Sequence, residues 1–294
     1  TFMRTRAIVW TAAVAFAALV LRADDGSIGN DEADGAFFDF AAATGGFRPY
    51  AWANPEVASA HVTRGKIASV RPVFILDAGA GCRLGALGYA NVGFWSLSDL
   101  SRHYRAERRN CFNELDPWLQ YGYTWEFAEG WSLDSRISYQ WNEMIGARVG
   151  RRTYREWINR ETLVTPWFSF FTLVRWMEFP YNCPGIRVGI FRECALPGRF
   201  SLIPELYVDG GPRCWNRRRF GQWTEEPAKW RPGPNSATLS LTLRYQITDV
   251  LSAYVGVSQF SIVDPDIRRQ VKARPDERGR PDLAFAKVGL VLSL

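Results

Sequence analysis

Alternation of apolar and polar residues with a period of two recurs along this chain. Leu239, Leu241, Leu243, Tyr245 and Ile247 alternate with Ser240, Thr242, Arg244, Gln246 and Thr248, giving one greasy face and one polar face. Trp131, Leu133, Ser135, Ile137, Tyr139 and Trp141 alternate with Ser132, Asp134, Arg136, Ser138, Gln140 and Asn142. Just before them, Leu115, Leu119, Tyr121, Tyr123, Trp125 and Phe127 alternate with Asp116, Gln120, Thr124 and Glu126. Neighbouring side chains on a strand point to opposite faces, so each segment predicts a half-apolar strand. The short Ala128-Glu129-Gly130 link predicts that the last two pair as a hairpin. The segments match the roughly 9–11 residues that a tilted strand needs to cross a bilayer.

Counting back from the C terminus, the pattern predicts twelve strands, near 283–294, 251–263, 237–248, 200–209, 185–195, 167–177, 156–164, 131–143, 113–127, 84–97, 69–79 and 57–64. Short links at Gly81 to Arg83, Ala128 to Gly130, Thr165-Pro166, Leu196 to Arg199 and Asp249-Val250 fall on one side. Long polar links at 98–112, 144–155, 210–236 and 264–282 fall on the other. An unpaired peptide group in hydrocarbon costs several kcal/mol, so a sheet that crosses a membrane must close on itself. The expected fold is therefore all-β, a transmembrane antiparallel up-and-down β-barrel of about twelve strands over residues 57–294.

Ahead of it, Met3, Arg4 and Arg6 precede an apolar run from Ala7 to Leu21, with Ala23 before Asp24-Asp25. That order predicts a signal peptide over residues 1–23, because the run is short of the roughly 20 residues of a membrane helix. Residues 24–56 do not fit the strand count cleanly, although Phe37, Phe38, Phe40 and Phe47 exceed what an acidic linker needs. They are expected to form an N-terminal periplasmic extension or plug, with a further edge strand as the alternative.

Composition supports an exported barrel with a wet interior. Aromatic residues make up 15% of the chain, yet its mean hydropathy is −0.19, which suits aromatic girdles outside and polar groups within. The net charge of +6 comes with no basic helix or recognition motif, so nucleic acid is not an expected partner. Arginines in the long links are suited instead to anionic lipopolysaccharide. Cys82, Cys111, Cys183, Cys194 and Cys214 show no CxxC spacing, so neither a metal nor another cofactor is expected. Export permits disulfides, but the odd number leaves the pairing open.

The polar face of each strand should point inward. Asp116, Gln120, Glu126, Asp134, Arg136, Gln140, Glu161, Glu205, Asp209 and Arg244 are the lumen-lining candidates. Their mixed signs argue against a single-sign filter, and they serve equally to neutralise one another and fill a small interior. Twelve strands enclose a narrow space, between packed eight-stranded barrels and wide porins. Catalysis has little support. The two histidines, His61 and His103, lack the His-x-Ser pattern of outer-membrane phospholipases, because Val62-Thr63 follows His61. Glu225-Glu226 and Asp264 with Asp266 read as solvated loop acids, and Arg217-Arg218-Arg219 beside Trp215 and Trp223 as a solvated loop.

Lys287-Val288-Gly289-Leu290-Val291-Leu292-Ser293-Leu294 resembles the C-terminal signal by which bacterial assembly machinery recognises outer-membrane barrels, with Leu in place of the preferred terminal Phe. The stretch from Ala58 to Gly65, the alternation through Trp95, Glu114 with Asp116 opening a Tyr-rich hairpin, and Glu161 before Thr165-Pro166 resemble the TorF-type porin family over residues 57–294. The departures are the missing Phe and the Cys-containing loops. The resemblance implies a porin-like channel in the bacterial outer membrane for passive passage of small hydrophilic solutes, surrounded by lipid and lipopolysaccharide. The alternative is a non-conducting barrel for surface binding or envelope anchoring.

Overall fold

The structure, a computed structural model, describes residues 47–100, 114–144, 152–179, 182–226 and 229–294. In chain order its strands are β1 (Phe47–Ala58), β2 (His61–Thr63), β3 (Lys66–Ser69), β4 (Val73–Leu84), β5 (Tyr89–Asp99), β6 (Glu114–Ala128), β7 (Trp131–Met144) and β8 (Arg152–Val164). They continue with β9 (Ser169–Phe179), β10 (Cys183–Phe191), β11 (Cys194–Leu196), β12 (Phe200–Gly211), β13 (Gly233–Thr248), β14 (Leu251–Ile262) and β15 (Asp282–Ser293). Helix α1 (Arg213–Phe220) stands between β12 and β13, and α2 (Pro265–Lys272) between β14 and β15.

Twelve of these strands close into an antiparallel barrel. β1 pairs with both β4 and β15, and β10 pairs with both β9 and β12, so every wall strand has two neighbours and no edge is left open. The short β11 continues the β10 side of β12 after an interruption at Arg192-Glu193. β2 and β3 form a separate two-stranded sheet.

Parity sorts the wall into two faces. Val255 and Val257, 50% and 56% exposed, point outward from β14, while Tyr254 and Phe260 on the same strand are buried inside. Phe127, Trp125, Trp167 and Tyr245 ring the outer surface near the short-link mouth, and Trp157 and Trp176 form a second outer set farther along the strands. So large an apolar belt is a liability in water and an asset in lipid, and the paired aromatic rings sit where bilayer interfaces would meet it. The fold and this belt define a membrane-type β-barrel.

Eleven wall strands overlap those expected from alternation over most of their length, and the first shares only Val57 and Ala58 with its expected span. The segment expected as the strand 57–64 runs out of the wall after Ala58 and into the interior, and the wall begins instead with β1 at Phe47. The expected boundary of the barrel at residue 57 is corrected accordingly, to 47. Pro49 and Pro55 concealed β1, since proline donates no ladder hydrogen bond and reads as a breaker. The usual order of faces is also reversed there, with the aromatic Trp52 buried inward and Val57 exposed outward. The expected turn at Gly81 to Arg83 lies within β4, and the link is the 3₁₀ turn Gly85–Leu87. The expected signal peptide, residues 1–23, and residues 24–46 lie outside the described residues.

Candidate functional site

The link between β1 and β4 folds back into the barrel. Val62 pairs with Ile67 and Thr63 with Lys66, leaving Arg64-Gly65 as a two-residue turn. Both residues take positive φ, 51° and 74°, as a type I′ hairpin turn requires. This tip reaches two parts of the wall. A Cβ on Gly65 would lie 2.5 Å from Asn235 Oδ1 and 2.9 Å from Ser236 Oγ, so only glycine fits against β13. Towards β7 and β8, Arg64 Nη2 donates to Asn142 Oδ1 at 2.8 Å and to Glu156 Oε1 at 2.5 Å. Glu156 and Asn142 are fully buried. The pair is thus a strong charge-assisted contact that holds the tip across the interior.

The turn and the β3 side of the hairpin are held from the long-link mouth as well. Arg219 on α1 donates to Thr63 O at 2.7 Å and to Arg64 O at 3.2 Å. Ile67 packs in one apolar cluster with Phe220 of α1, Phe260 and Ile262 of β14, and Ile267 and Val271 of α2, with Val62 and Val70 against it. α2 forms here because Asp264 Oδ1 caps it, accepting the Ile267 N–H at 2.8 Å, and Pro265 occupies its first turn. A small hydrophobic core therefore sits at the long-link mouth, inside a barrel whose inner wall mixes polar groups with smaller apolar clusters.

Beneath the hairpin lies a cavity of about 280 Å³. Glu56, Asp77, Glu114 and Asp116 line it from β1, β4 and β6, and Arg136, Arg160, Arg175 and Arg187 from the consecutive strands β7 to β10. Glu205 on β12 and Lys287 on β15, which pairs with Glu56 at 3.5 Å, mix the signs further. Several arginines are internally matched, Arg187 by Asp209 at 3.0 Å and by the Tyr207 ring 4.0 Å from its guanidinium carbon, and Arg160 by the Phe171 ring at 4.8 Å. Asp116 Oδ1, Glu156 Oε2 and His61 Nε2 are buried without a hydrogen-bond partner among the described residues. Buried polar atoms of this kind call for a hydrogen-bonding guest, solvent or solute.

The ten candidates fall into four groups. Asp116, Gln120, Arg136, Gln140 and Glu205 line the cavity. Asp134, Asp209 and Arg244 are buried on the inner face, with Asp134 accepting from Tyr89 Oη at 2.8 Å and Arg244 paired with Glu193 at 3.4 Å. Glu126 shares the inward parity but is exposed at the short-link rim. Glu161 is a correction. It lies on the outer face, accepting from Ser135 Oγ at 2.8 Å and Asn159 Nδ2 at 3.1 Å. Polar residues occur on both parities of β8, so alternation alone gave its direction no anchor, and the inward set is Glu156, Ile158, Arg160 and Thr162. The hairpin residues and Glu156 were missed. The available signal was Thr63-Arg64-Gly65-Lys66, whose glycine marks a turn inside what otherwise reads as a continuous strand.

No family model matches the chain, and no curated protein does either. Among solved structures, it is similar to a KdgM porin at 12% identity, covering 83% of this chain and 99% of that one, with a TM-score of 0.45. It is also similar to the outer membrane phospholipase A of Escherichia coli at 15% identity, covering 83% and 89% with a TM-score of 0.43, and to OmpF of Salmonella typhi in complex with daunomycin at 6% identity, covering 84% and 97% with a TM-score of 0.36. Likeness at this level transfers neither activity nor cargo. The functional reading rests on the chain's own geometry.

Proposed function

We propose that this protein is a channel of the bacterial outer membrane for small hydrophilic solutes, with the inward hairpin setting the width of the passage. The observation that carries the reading is the charge-lined cavity of about 280 Å³ inside a lipid-suited wall, with hairpin residues 60–64 forming part of its lining. The short links and both wall termini, β1 and β15, share one mouth, which this reading assigns to the periplasm. The opposite mouth, with α1, α2 and their arginines, then faces lipopolysaccharide. The C-terminal strand β15 engages the assembly machinery, and the resemblance to TorF-type porins accords with a solute-passing role. Neither nucleic acid nor a cofactor has a part in it.

The reading is non-catalytic. His61 lies against Trp95 in a tilted arrangement with ring centroids 5.6 Å apart, and no hydroxyl is paired with its buried Nε2 among the described residues. A second reading, a non-conducting barrel for surface binding or anchoring, draws on the same hairpin, because the tip contacts opposite parts of the wall. Planar-bilayer recordings of the purified protein separate the two. The channel reading expects discrete openings from the native protein, larger ones when residues 60–70 are replaced by a short Gly-Ser link, and silence from both overturns it.

A further inference from the structure

Cys183 and Cys214 belong to different elements, the first residue of β10 and the first turn of α1. Trp215, the residue after Cys214, packs against Cys183, so the two cysteines stand at the same joint between α1 and β10. Trp215 is buried in one cluster with Met177 and Cys183, and its ring fills the space beside Gly185, where an added Cβ would lie 2.3 Å away. α1 is therefore seated on the inner wall, with the Cys183 thiol buried and Cys214 exposed at the mouth. Cys82 and Cys194 stand near the short-link mouth, on β4 and β11, away from this pair.

We propose that Cys183 and Cys214, free thiols in this structure, are joined by a disulfide in the exported protein, and that this bond fastens the helix that clamps the lumen hairpin. The chemistry is thiol–disulfide exchange with a disulfide-bearing oxidant of the periplasm, a compartment in which such bonds persist. The accessible Cys214 thiolate attacks a sulfur of that disulfide, forming a mixed disulfide and expelling one oxidant thiol. The neighbouring Cys183 thiolate then attacks Cys214 Sγ and expels the second. The oxidant gains two electrons and the two protons of the protein thiols. The consequence passes along one helix, from Cys214 at its start to Arg219, which holds the carbonyls of Thr63 and Arg64. Oxidation would thereby limit how far α1 and the hairpin can move together.

This inference rests on the outer-membrane location in the channel reading and not on solute passage. Protein extracted from membranes without reductant is treated with N-ethylmaleimide, digested and analysed by mass spectrometry. The expected product is a Cys183–Cys214 linked peptide that separates on reduction, with Cys82 and Cys194 alkylated. Separate alkylation of Cys183 and Cys214, or linkage of either to another cysteine, overturns the bond. The clamp is tested by hydrogen exchange over residues 59–72 in the native protein, in reductant and in Cys214→Ser. Exchange about tenfold faster in the last two is expected, and an unchanged rate overturns the link from disulfide to hairpin. Cys82→Ser serves as the control and should alter neither readout.

Discussion

The two halves of the lumen are filled in different ways. Towards the short-link mouth the filling is built into the wall itself. Trp52 and Trp118 stack with centroids 5.7 Å apart, Tyr50 Oη donates to Asn91 at 2.5 Å, Asn91 donates to Gln120 at 2.7 Å, and Arg136 pairs with Asp134. Each of these side chains stands on a strand whose backbone is pinned by two neighbours. Towards the long-link mouth the filling is a hairpin and two helices, joined to the wall by links and held by one buried ion pair, a few hydrogen bonds and an apolar cluster. Only the second half can clear the lumen without breaking the barrel.

The hairpin also carries charges that oppose its docking. Arg219 beside Lys66, reinforced by burial, holds the Lys66 ammonium well below its usual pKa. Burial, with Arg64 and Arg219 nearby, lowers His61 from 6.5 to about 4. The docked state is thus a balance between the Arg64–Glu156 attraction and the neutral state imposed on His61. A structure balanced in this way responds to substitutions that the wall half would not transmit.

The largest effect is expected from replacing residues 60–70 with a Gly-Ser link. Single-channel conductance should rise several-fold, while the β-sheet circular dichroism of the purified barrel is retained. Next comes Glu156→Gln, which leaves Arg64 buried opposite a neutral amide. Removing one partner of a buried pair costs about 3–5 kcal/mol, here charged against docking of the tip. Hydrogen exchange should accelerate in residues 59–72 and remain slow in β4 and β5. Acceleration spread evenly over the wall would show that the two halves are one cooperative unit.

Trp52→Ala probes the opposite half. Truncating a buried tryptophan costs about 3 kcal/mol or more, and Trp52 is 7% exposed. The expected outcome is a lower thermal midpoint in detergent with hairpin exchange unchanged below the transition. A hairpin that loosens in this variant would erase the distinction between wall-built and loop-built filling.

The same distinction explains what was legible in the sequence. Wall strands must present lipid on one face and polar groups on the other, so period-two alternation revealed β6, β7, β13 and β15 almost residue by residue. That code weakens where the interior is aromatic, as at Tyr50 and Trp52 in β1, and where polar residues occupy both faces, as around Glu161 in β8. It is silent on the hairpin. β2 and β3 have extended backbones and alternate like wall strands, and only pairing across the lumen distinguishes them. Arg64 and Glu156 are 92 positions apart and meet because closure brings β8 opposite the tip. The disulfide pair was hidden in the same way, since spacing among five cysteines cannot show that α1 lies against β10.

The smallest expected effect is the dependence of docking on pH, and its window distinguishes the hairpin from the outer loop beside it. The docked His61, lowered from 6.5 to about 4, binds fewer protons than a released one between those values. Docking is therefore at full strength above about 6.5, weakens as pH falls through that interval, and levels off near 4. In the loop after α2, hydrogen bonds from Arg274 and then Arg278 hold Asp276 at about 2, below its ordinary 3.8. Its stabilising contribution is complete above 3.8 and disappears only as pH falls through about 2, so the two groups report in separate ranges. Recordings or hydrogen exchange between pH 7 and 4.5 should show progressive hairpin release in the native protein and a flat response in His61→Gln. An identical pH response in both would remove His61 from the docking balance and leave the Arg64–Glu156 pair as its principal electrostatic determinant.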